Sequence, residues 1–199
     1  MAHKSDRLIS LFFLILIILV PFVLTLFVTL LLSFNPVYHE FMVERHSVVE
    51  NKSSLDKEVL EFLAGGDTLP DMTVDEKSHM YEVRRVFRSF QFLFFFFFLV
   101  SSVLFIFLYR LHKKKFLSSF FLYAGVSTIM FQLILLVCGL FFSFSFDLFH
   151  RILFRGVWQF PADQLLVSLY PYDFFRETFF IIILVNLIIG GIFLKRPGV

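Results

Sequence analysis

The chain has 199 residues, a formal net charge of +2, 58% hydrophobic residues with 33 Phe among them, and a mean hydropathy of +0.83. That balance excludes a soluble globular domain, whose apolar share including Gly lies near about half. The basic excess lies beside apolar runs rather than in a patch, which excludes a nucleic-acid footprint, and one cysteine excludes an intrachain disulfide framework.

Residues 1–7 read as a basic tail with His3, Lys4 and Arg7. Residues 8–34 contain no Asp, Glu, Lys or Arg and read as a first span. A helix needs roughly 20 apolar residues to cross a ~30 Å hydrocarbon core. The run is longer than a signal h-region of about 7–15 residues, and Ser33-Phe34-Asn35 is no small-residue cleavage site, so it reads as a permanent anchor.

Residues 35–89 form a first outer loop, predicted to build a small cap. Its opening part, with His39 and His46, reads as irregular. Ser53 and Ser54 precede Leu55, Val59, Phe62 and Leu63, a helical spacing that Gly65-Gly66 stops, and residues 66–71 read as a turn. Thr73-Val74-Asp75-Glu76 is a capping-box pattern, and Met80, Val83, Val86 and Phe87 continue a helical period from it. One helix is therefore predicted to start in the cap and run into a second span, 90–109. The Phe run 94–98 inside that span reads as lipid-facing bulk.

Residues 110–115, with Arg110, His112 and Lys113 to Lys115, are predicted to form a hairpin. The third span, 116–146, is long enough to tilt or to project as an interfacial helix. Cys138 lies mid-span and reads as a packing residue, because nothing nearby can make its thiolate. Residues 147–177 form a second outer loop whose Trp and Tyr favour the headgroup zone, so it is predicted to lie flat on the outer interface. A fourth span, 178–194, and a tail, 195–199, complete the chain.

The two tails and the 110–115 hairpin hold eight basic residues against one acid, while the other two connections hold 15 acids and ten basic residues. The positive-inside rule then places both termini and the hairpin in the cytoplasm. The predicted fold is an all-α polytopic membrane protein with four transmembrane helices and a small extracytoplasmic cap. No acidic or basic side chain lies within the spans, which argues against a carrier or proton pump.

Two histidines stand just outside spans on the same side. His79 has Asp75 four residues before it and Glu82 three after, so either carboxylate can orient its ring. His150 lies one turn beyond Asp147. A straight helix would hold His79 roughly 16 Å above Phe90, so either Arg84, Arg85 and Arg88 snorkel or the second loop rises to meet it. Two His with scattered carboxylates lack an H-E-x-x-H or Cys spacing, and no G-x-S-x-G elbow or phosphate loop is present. No metal and no cofactor is predicted.

The segments Glu76-Lys77-Ser78-His79-Met80-Tyr81-Glu82-Val83-Arg84 and Phe149-His150, followed by Trp158, Asp163-Gln164-Leu165-Leu166 and Pro171-Tyr172-Asp173-Phe174-Phe175, resemble the lipoprotein intramolecular transacylase family, Lit. The four-span layout with a larger first and smaller second outer loop is similar too. The chain departs from the family pattern in having Glu82 where Asp is expected and a short stretch between Trp158 and Asp163. The resemblance implies transfer of the sn-2 acyl chain of a diacylglyceryl lipoprotein to the α-amino group of its own N-terminal cysteine. It implies His79 and His150 as the catalytic pair, in a bacterial plasma membrane with the site on the extracytoplasmic face. Glu82, Arg84 and Asp163 are then the expected supporting residues, and Tyr81, Trp158, Tyr170 and Tyr172 the expected substrate enclosure. The partners are diacylglyceryl lipoproteins and membrane lipid.

The residues suit that chemistry. The acceptor is a substrate amine, so no Ser or Cys nucleophile is required, and ester to amide is downhill without ATP. An imidazole of pKa ~6.5 is a suitable base, with the second imidazole as acid or carbonyl polariser, and their order stays open. The amine must close a medium-sized ring to reach the ester, which makes positioning and exclusion of water the main tasks. A non-enzymatic membrane scaffold or sensor, with a partner-binding outer cap, is the competing reading. Intermolecular acylation by a nitrilase-like domain would need a Glu-Lys-Cys site in a large outer domain, which the sequence lacks. Imidazoles more than about 10 Å apart would tell against a shared site.

Overall fold

The computed structural model describes residues 2–195, with the side chains of 2–6 and 112–115 excepted. Arg196 and the tail 196–199 lie outside the described residues, as do the side chains of His3, Lys4, His112 and Lys113 to Lys115. Seven helices follow in order: α1 (Ala2–Ser33), α2 (Pro36–His46), α3 (Lys52–Ala64), α4 (Val74–Leu140), α5 (Phe142–Leu153), α6 (Leu165–Leu169) and α7 (Tyr172–Leu194). No strand occurs among the described residues. Four stretches are long and apolar enough to cross a membrane: Arg7–Ser33, Val74–Leu111, Phe116–Leu140 and Tyr172–Leu194.

Residues Val74–Leu140 are helical in local conformation, yet the chain of α4 reverses. The Phe105 ring lies 4.9 Å from that of Phe120, whereas a straight helix would separate them by roughly 22 Å. α4 is therefore two antiparallel limbs that meet between Leu111 and Phe116. Its second limb ends at Leu140, short of the expected boundary at 146, and Phe141 breaks the helix before α5. The Ser145 hydroxyl donates to the Cys138 carbonyl at 2.9 Å, satisfying one acceptor that the break frees. The charge-free run could not reveal this break, because residues 141–146 remain rich in Phe and Ser.

The described chain divides into two compact units. The first comprises Met1–Val28, Gln91–Val137 and Ile182–Val199. Its packed centre joins Leu16, Ile17 and Val20 of α1 to Leu108, Phe116, Phe120 and Ala124 of α4. Lipid tails are as apolar as these side chains, so close packing and hydrogen bonds do the work of association. At one crossing a Cβ placed on Gly125 would lie 2.9 Å from the Gly190 carbonyl oxygen, so glycine permits this approach of α4 to α7.

The second unit, Thr29–Phe90 with Cys138–Ile181, contains the cap. Met42 and Val43 of α2, Val59 and Phe62 of α3, Met72, Met80 of α4, Leu169 of α6 and Phe174 of α7 form its core. Each such side chain, fully buried, stabilises a fold by about 1.5–3 kcal/mol. The segment bearing His39 and His46 is helix α2 rather than irregular. Asn35 caps it by accepting from the Tyr38 amide at 3.0 Å, and Pro36 supplies the pre-set first residue.

α3 ends at Gly65, whose amide donates to the Phe62 carbonyl at 3.0 Å and whose φ of +129° brings the following Gly66 amide to the Glu61 carbonyl at 2.9 Å. α4 opens on a closed capping box, with Glu76 accepting from the Thr73 amide at 2.9 Å and the Thr73 hydroxyl accepting from the Glu76 amide at 3.3 Å. The other Glu76 carboxylate oxygen accepts from the Leu166 amide at 2.7 Å. One buried carboxylate thus serves the starts of both α4 and α6.

Candidate active site

At 38 residues, Val74–Leu111 would extend about 57 Å, nearly twice a ~30 Å core. Its first turns, with His79, Glu82, Arg84 and Arg85, therefore stand outside the membrane-spanning part. His79 projects from this extension and His150 from α5. Their rings stack with centroids 6.1 Å apart and planes 18° from parallel. Both residues are buried, at 7% and 8% exposure.

An aromatic shell surrounds the pair. Phe154 lies 4.7 Å from the His79 ring and 5.0 Å from the His150 ring. Phe160 packs on His79 at 5.5 Å, and Phe146 on His150 at 4.2 Å. Trp158 lies over His150 at 5.0 Å, with Phe149 at its edge. The polar partners are few and decisive. His150 Nδ1 is 2.8 Å from the Phe146 carbonyl oxygen. A carbonyl can only accept, so Nδ1 carries the proton and Nε2 keeps a free lone pair. His79 Nδ1 is buried with no hydrogen-bond partner.

Both imidazoles are held neutral. Burial lowers His79 from 6.5 to about 4; the nearby His150 adds to the shift and Glu82 opposes it. Burial also lowers His150, against the opposing pulls of the Phe146 carbonyl and the Asp147 charge. Below pH 6.5 the unfolded chain therefore takes up a proton that folded His79 refuses, so the part of the stability owed to His79 falls between pH 6.5 and 4 and changes no further below 4. His79→Gln is expected to lose less stability than wild type over that range, by about 3 kcal/mol. Melting curves at pH 7 and pH 4 measure the difference, and equal losses in the two proteins would contradict it.

The expected supporting residues are differently employed. The Glu82 carboxylate does not bond the His79 ring. It accepts from the Arg155 and Gly156 amides, at 3.3 and 3.2 Å, and pairs with Arg85 at 3.0 Å. Glu82 therefore pins the loop that carries Phe154, Trp158 and Phe160. Removing it loosens the enclosure rather than the histidine, so Glu82→Ala is expected to lower kcat roughly ten- to a hundredfold. Glu82→Gln, whose side-chain carbonyl still accepts, should retain most activity. Equal turnover by Glu82→Ala and wild type would rule out this role.

Arg84 donates to the Phe62 and Gly66 carbonyls, and its guanidinium lies 3.7 Å from the Phe62 ring centroid. It holds the C-terminal end of α3 and makes no bond to either histidine. Asp163 is exposed in a turn and pairs with nothing among the described residues. Of the expected enclosure, Trp158 alone touches the pair. Tyr81 is 57% exposed and packs on Phe62. Tyr170 turns to the cap core, where its hydroxyl donates to Asp56 at 2.6 Å. Tyr172 packs on Phe142 and Phe146, one layer behind His150. Residues 146, 154 and 160, all Phe, complete the shell and carried no separate signal among so many Phe. No group of three or more His, Cys, Asp or Glu suited to a metal ion occurs among the described residues.

A family model for the lipoprotein intramolecular transacylase Lit matches residues 7–175. The chain belongs to the Lit family. Lit proteins are enzymes, and the all-helical, four-span fold agrees with solved structures of Lit from Bacillus cereus. A form of that protein with a histidine-to-arginine substitution has a TM-score of 0.77 and 18% identity, over 96% of this chain and 91% of that one. Another Lit structure from Bacillus cereus gives 0.76 and 20% identity, over 94% and 92%. No curated protein sequence matches the chain. This multi-pass member of the Lit family is thus a lipoprotein transacylase whose best-formed constellation is the stacked histidine pair.

Proposed function

We propose that His79 and His150 together move the sn-2 acyl chain of a diacylglyceryl lipoprotein to the α-amino group of its own N-terminal cysteine. The observation that carries this reading is the stacked pair, with His150 Nδ1 committed to a backbone carbonyl and both rings walled by aromatics. The product is a lyso-form lipoprotein. With the basic tails inward, the site opens on the extracytoplasmic face, where an anchored lipoprotein presents both ester and amine.

The two imidazoles differ enough to divide the work. His150 has its tautomer set and its Nε2 free, so it is the base that takes a proton as the amine nitrogen attacks the ester carbonyl carbon. The new C–N bond forms, the bond between the carbonyl carbon and the glyceryl ester oxygen breaks, and His150 returns the proton to that departing oxygen. His79 is hard to protonate, with its pKa lowered by burial to about 4. A neutral imidazole there donates its N–H to the carbonyl oxygen as negative charge develops, the task of an electrophilic histidine. The Phe and Trp walls keep water from competing with the amine.

The pH profile tests this division. An α-amino group has a pKa of about 8, so most of it is protonated at neutral pH, whereas both imidazoles are already neutral. The kcat/KM for a diacylglyceryl lipopeptide is expected to rise about tenfold per pH unit up to about 8. A plateau reached by pH 6.5 would count against it, because an enzyme imidazole would then be the limiting group.

A further inference from the structure

Four polar side chains lie in the apolar first unit: Thr25 of α1, Thr128 and Gln132 of the second α4 limb, and Asn186 of α7. Thr128, Gln132 and Asn186 are each 0% exposed. Two of their donors are used. Gln132 Nε2 donates to Thr25 Oγ1 at 2.9 Å, and Asn186 Nδ2 to the Ile182 carbonyl at 2.8 Å. Three oxygens are left buried without a partner: Thr128 Oγ1, Gln132 Oε1 and Asn186 Oδ1.

The helix register places these three side chains within one turn of one another along the bundle. Thr128 and Gln132 are one turn apart on one face of α4. A Cβ on Gly190 would lie 3.5 Å from the Thr128 Cβ, and Gly125 meets Gly190 and Leu194, so α7 runs antiparallel against this face. One turn from Thr128 to Gln132 is then matched by one turn from Gly190 back to Asn186. Near the local acceptor usual for a helical threonine, here the Ala124 carbonyl, lies the Ser127 hydroxyl at 3.1 Å, which also reaches the Ile17 carbonyl at 3.0 Å.

An amide oxygen left unpaired away from water is costly, and a membrane interior offers no bulk water to relieve it. Two of the three orphans are carbonyls, which can only accept. The third is a hydroxyl with a proton to give. We propose that one ordered water molecule fills this node, donating to Gln132 Oε1 and Asn186 Oδ1 and accepting from the Thr128 hydroxyl. Three hydrogen bonds are the usual complement of a buried water. Through Gln132 and Thr25 the same node ties α1, α4 and α7 together, fixing the rotation of three apolar helices by polar contact.

A high-resolution structure of the full chain in lipid reads the site directly. The expected result is a single density peak about 2.7–3.0 Å from all three oxygens. Direct bonding between the Gln132 and Asn186 amides with nothing between them would overturn the proposal. So would a peak at about 2.4 Å that follows the sodium concentration, which marks a cation. A double-mutant cycle supplies a second reading. Thr128→Val and Asn186→Leu are each expected to lower Tm by about 2–4 °C. The double variant should lose less than the two shifts added, because both residues act through one water. Additive shifts would contradict the shared node. The histidine pair is untouched in all these variants, so the outcome is independent of the proposed catalytic roles.

Discussion

His150→Ala is expected to remove lyso-form product down to about 1/1,000 of the wild-type rate or below, with the protein still folded and inserted. General-base catalysis alone is worth about 10²- to 10⁴-fold, and in the proposed mechanism the same imidazole also returns the proton to the leaving oxygen. In the proposed mechanism His79→Ala removes one donor to the developing oxyanion, with an expected effect of about 10²- to 10³-fold. The conservative variants separate the two roles. A glutamine at 79 still offers an N–H, so His79→Gln should recover part of the loss. His150→Gln should recover none, because an amide cannot take the proton. Lipopeptide turnover followed by mass spectrometry measures all four. Product at the wild-type rate from His150→Ala would remove the base from the mechanism, and equal recovery by both glutamine variants would remove the division of labour.

The second large effect belongs to the cap. The Asp56 carboxylate is 3% exposed and accepts from His39 Nδ1 at 2.9 Å and from the Tyr170 hydroxyl at 2.6 Å. It joins α2, α3 and the chain that follows α6. Burial, with the Asp56 charge beside it, holds the Tyr170 phenol well above its ordinary pKa of 10, so Tyr170 stays a donor at any working pH. Asp56→Ala leaves two polar groups buried and unpaired, a loss of about 3–5 kcal/mol when a buried pair is broken from one side. At about 2–4 °C per kcal/mol for a chain of this size, Tm should fall by roughly 10 °C. Asp56→Asn, which can still accept, should fall less. Thermal unfolding in lipid measures both, and an unchanged Tm for Asp56→Ala would mean that the contact adds nothing to the cap.

Charge made much of this fold legible before any coordinates. The four charge-free runs mark stretches able to cross a membrane, because a charged residue in hydrocarbon is too costly to be common. Uncharged polar residues leave no such mark. Gln132 and Asn186 barely alter the hydropathy of their runs, so the polar node inside the bundle was invisible until the helices were packed. Direction is equally silent in hydropathy, and the break at Phe141 leaves no gap in the apolar signal. α2 had a readable start in Asn35-Pro36, but the helix has little apolar periodicity and its burial comes from neighbours distant in sequence.

The site divides along the same line. His79 and His150 stand out because both lie just outside spans on the same side and the blocks around them resemble the Lit family. Their shell does not stand out. A Phe at 146, 154 or 160 is one of 33, and tertiary contact alone selects those that touch an imidazole. Helical geometry explains why Tyr81 does not join them. Two residues beyond His79, it points about 200° away around the helix. Tyr170 was drawn elsewhere by its hydroxyl, which finds Asp56. Glu82 has the spacing to orient His79, yet the free amides of Arg155 and Gly156 claim its carboxylate. Such competition between partners is decided in three dimensions.

The central claim is that the histidine pair performs an intramolecular transfer from the sn-2 position. A diacylglyceryl lipopeptide with different acyl chains at sn-1 and sn-2, incubated in lipid with the wild-type protein or a His79→Ala/His150→Ala double variant, tests it most directly. Tandem mass spectrometry should find the sn-2 chain on the cysteine nitrogen with wild type, the sn-1 chain still on the glyceryl group of the same molecule, and no product with the double variant. An sn-1 chain on nitrogen, a chain drawn from another lipopeptide, or product from the double variant would contradict it.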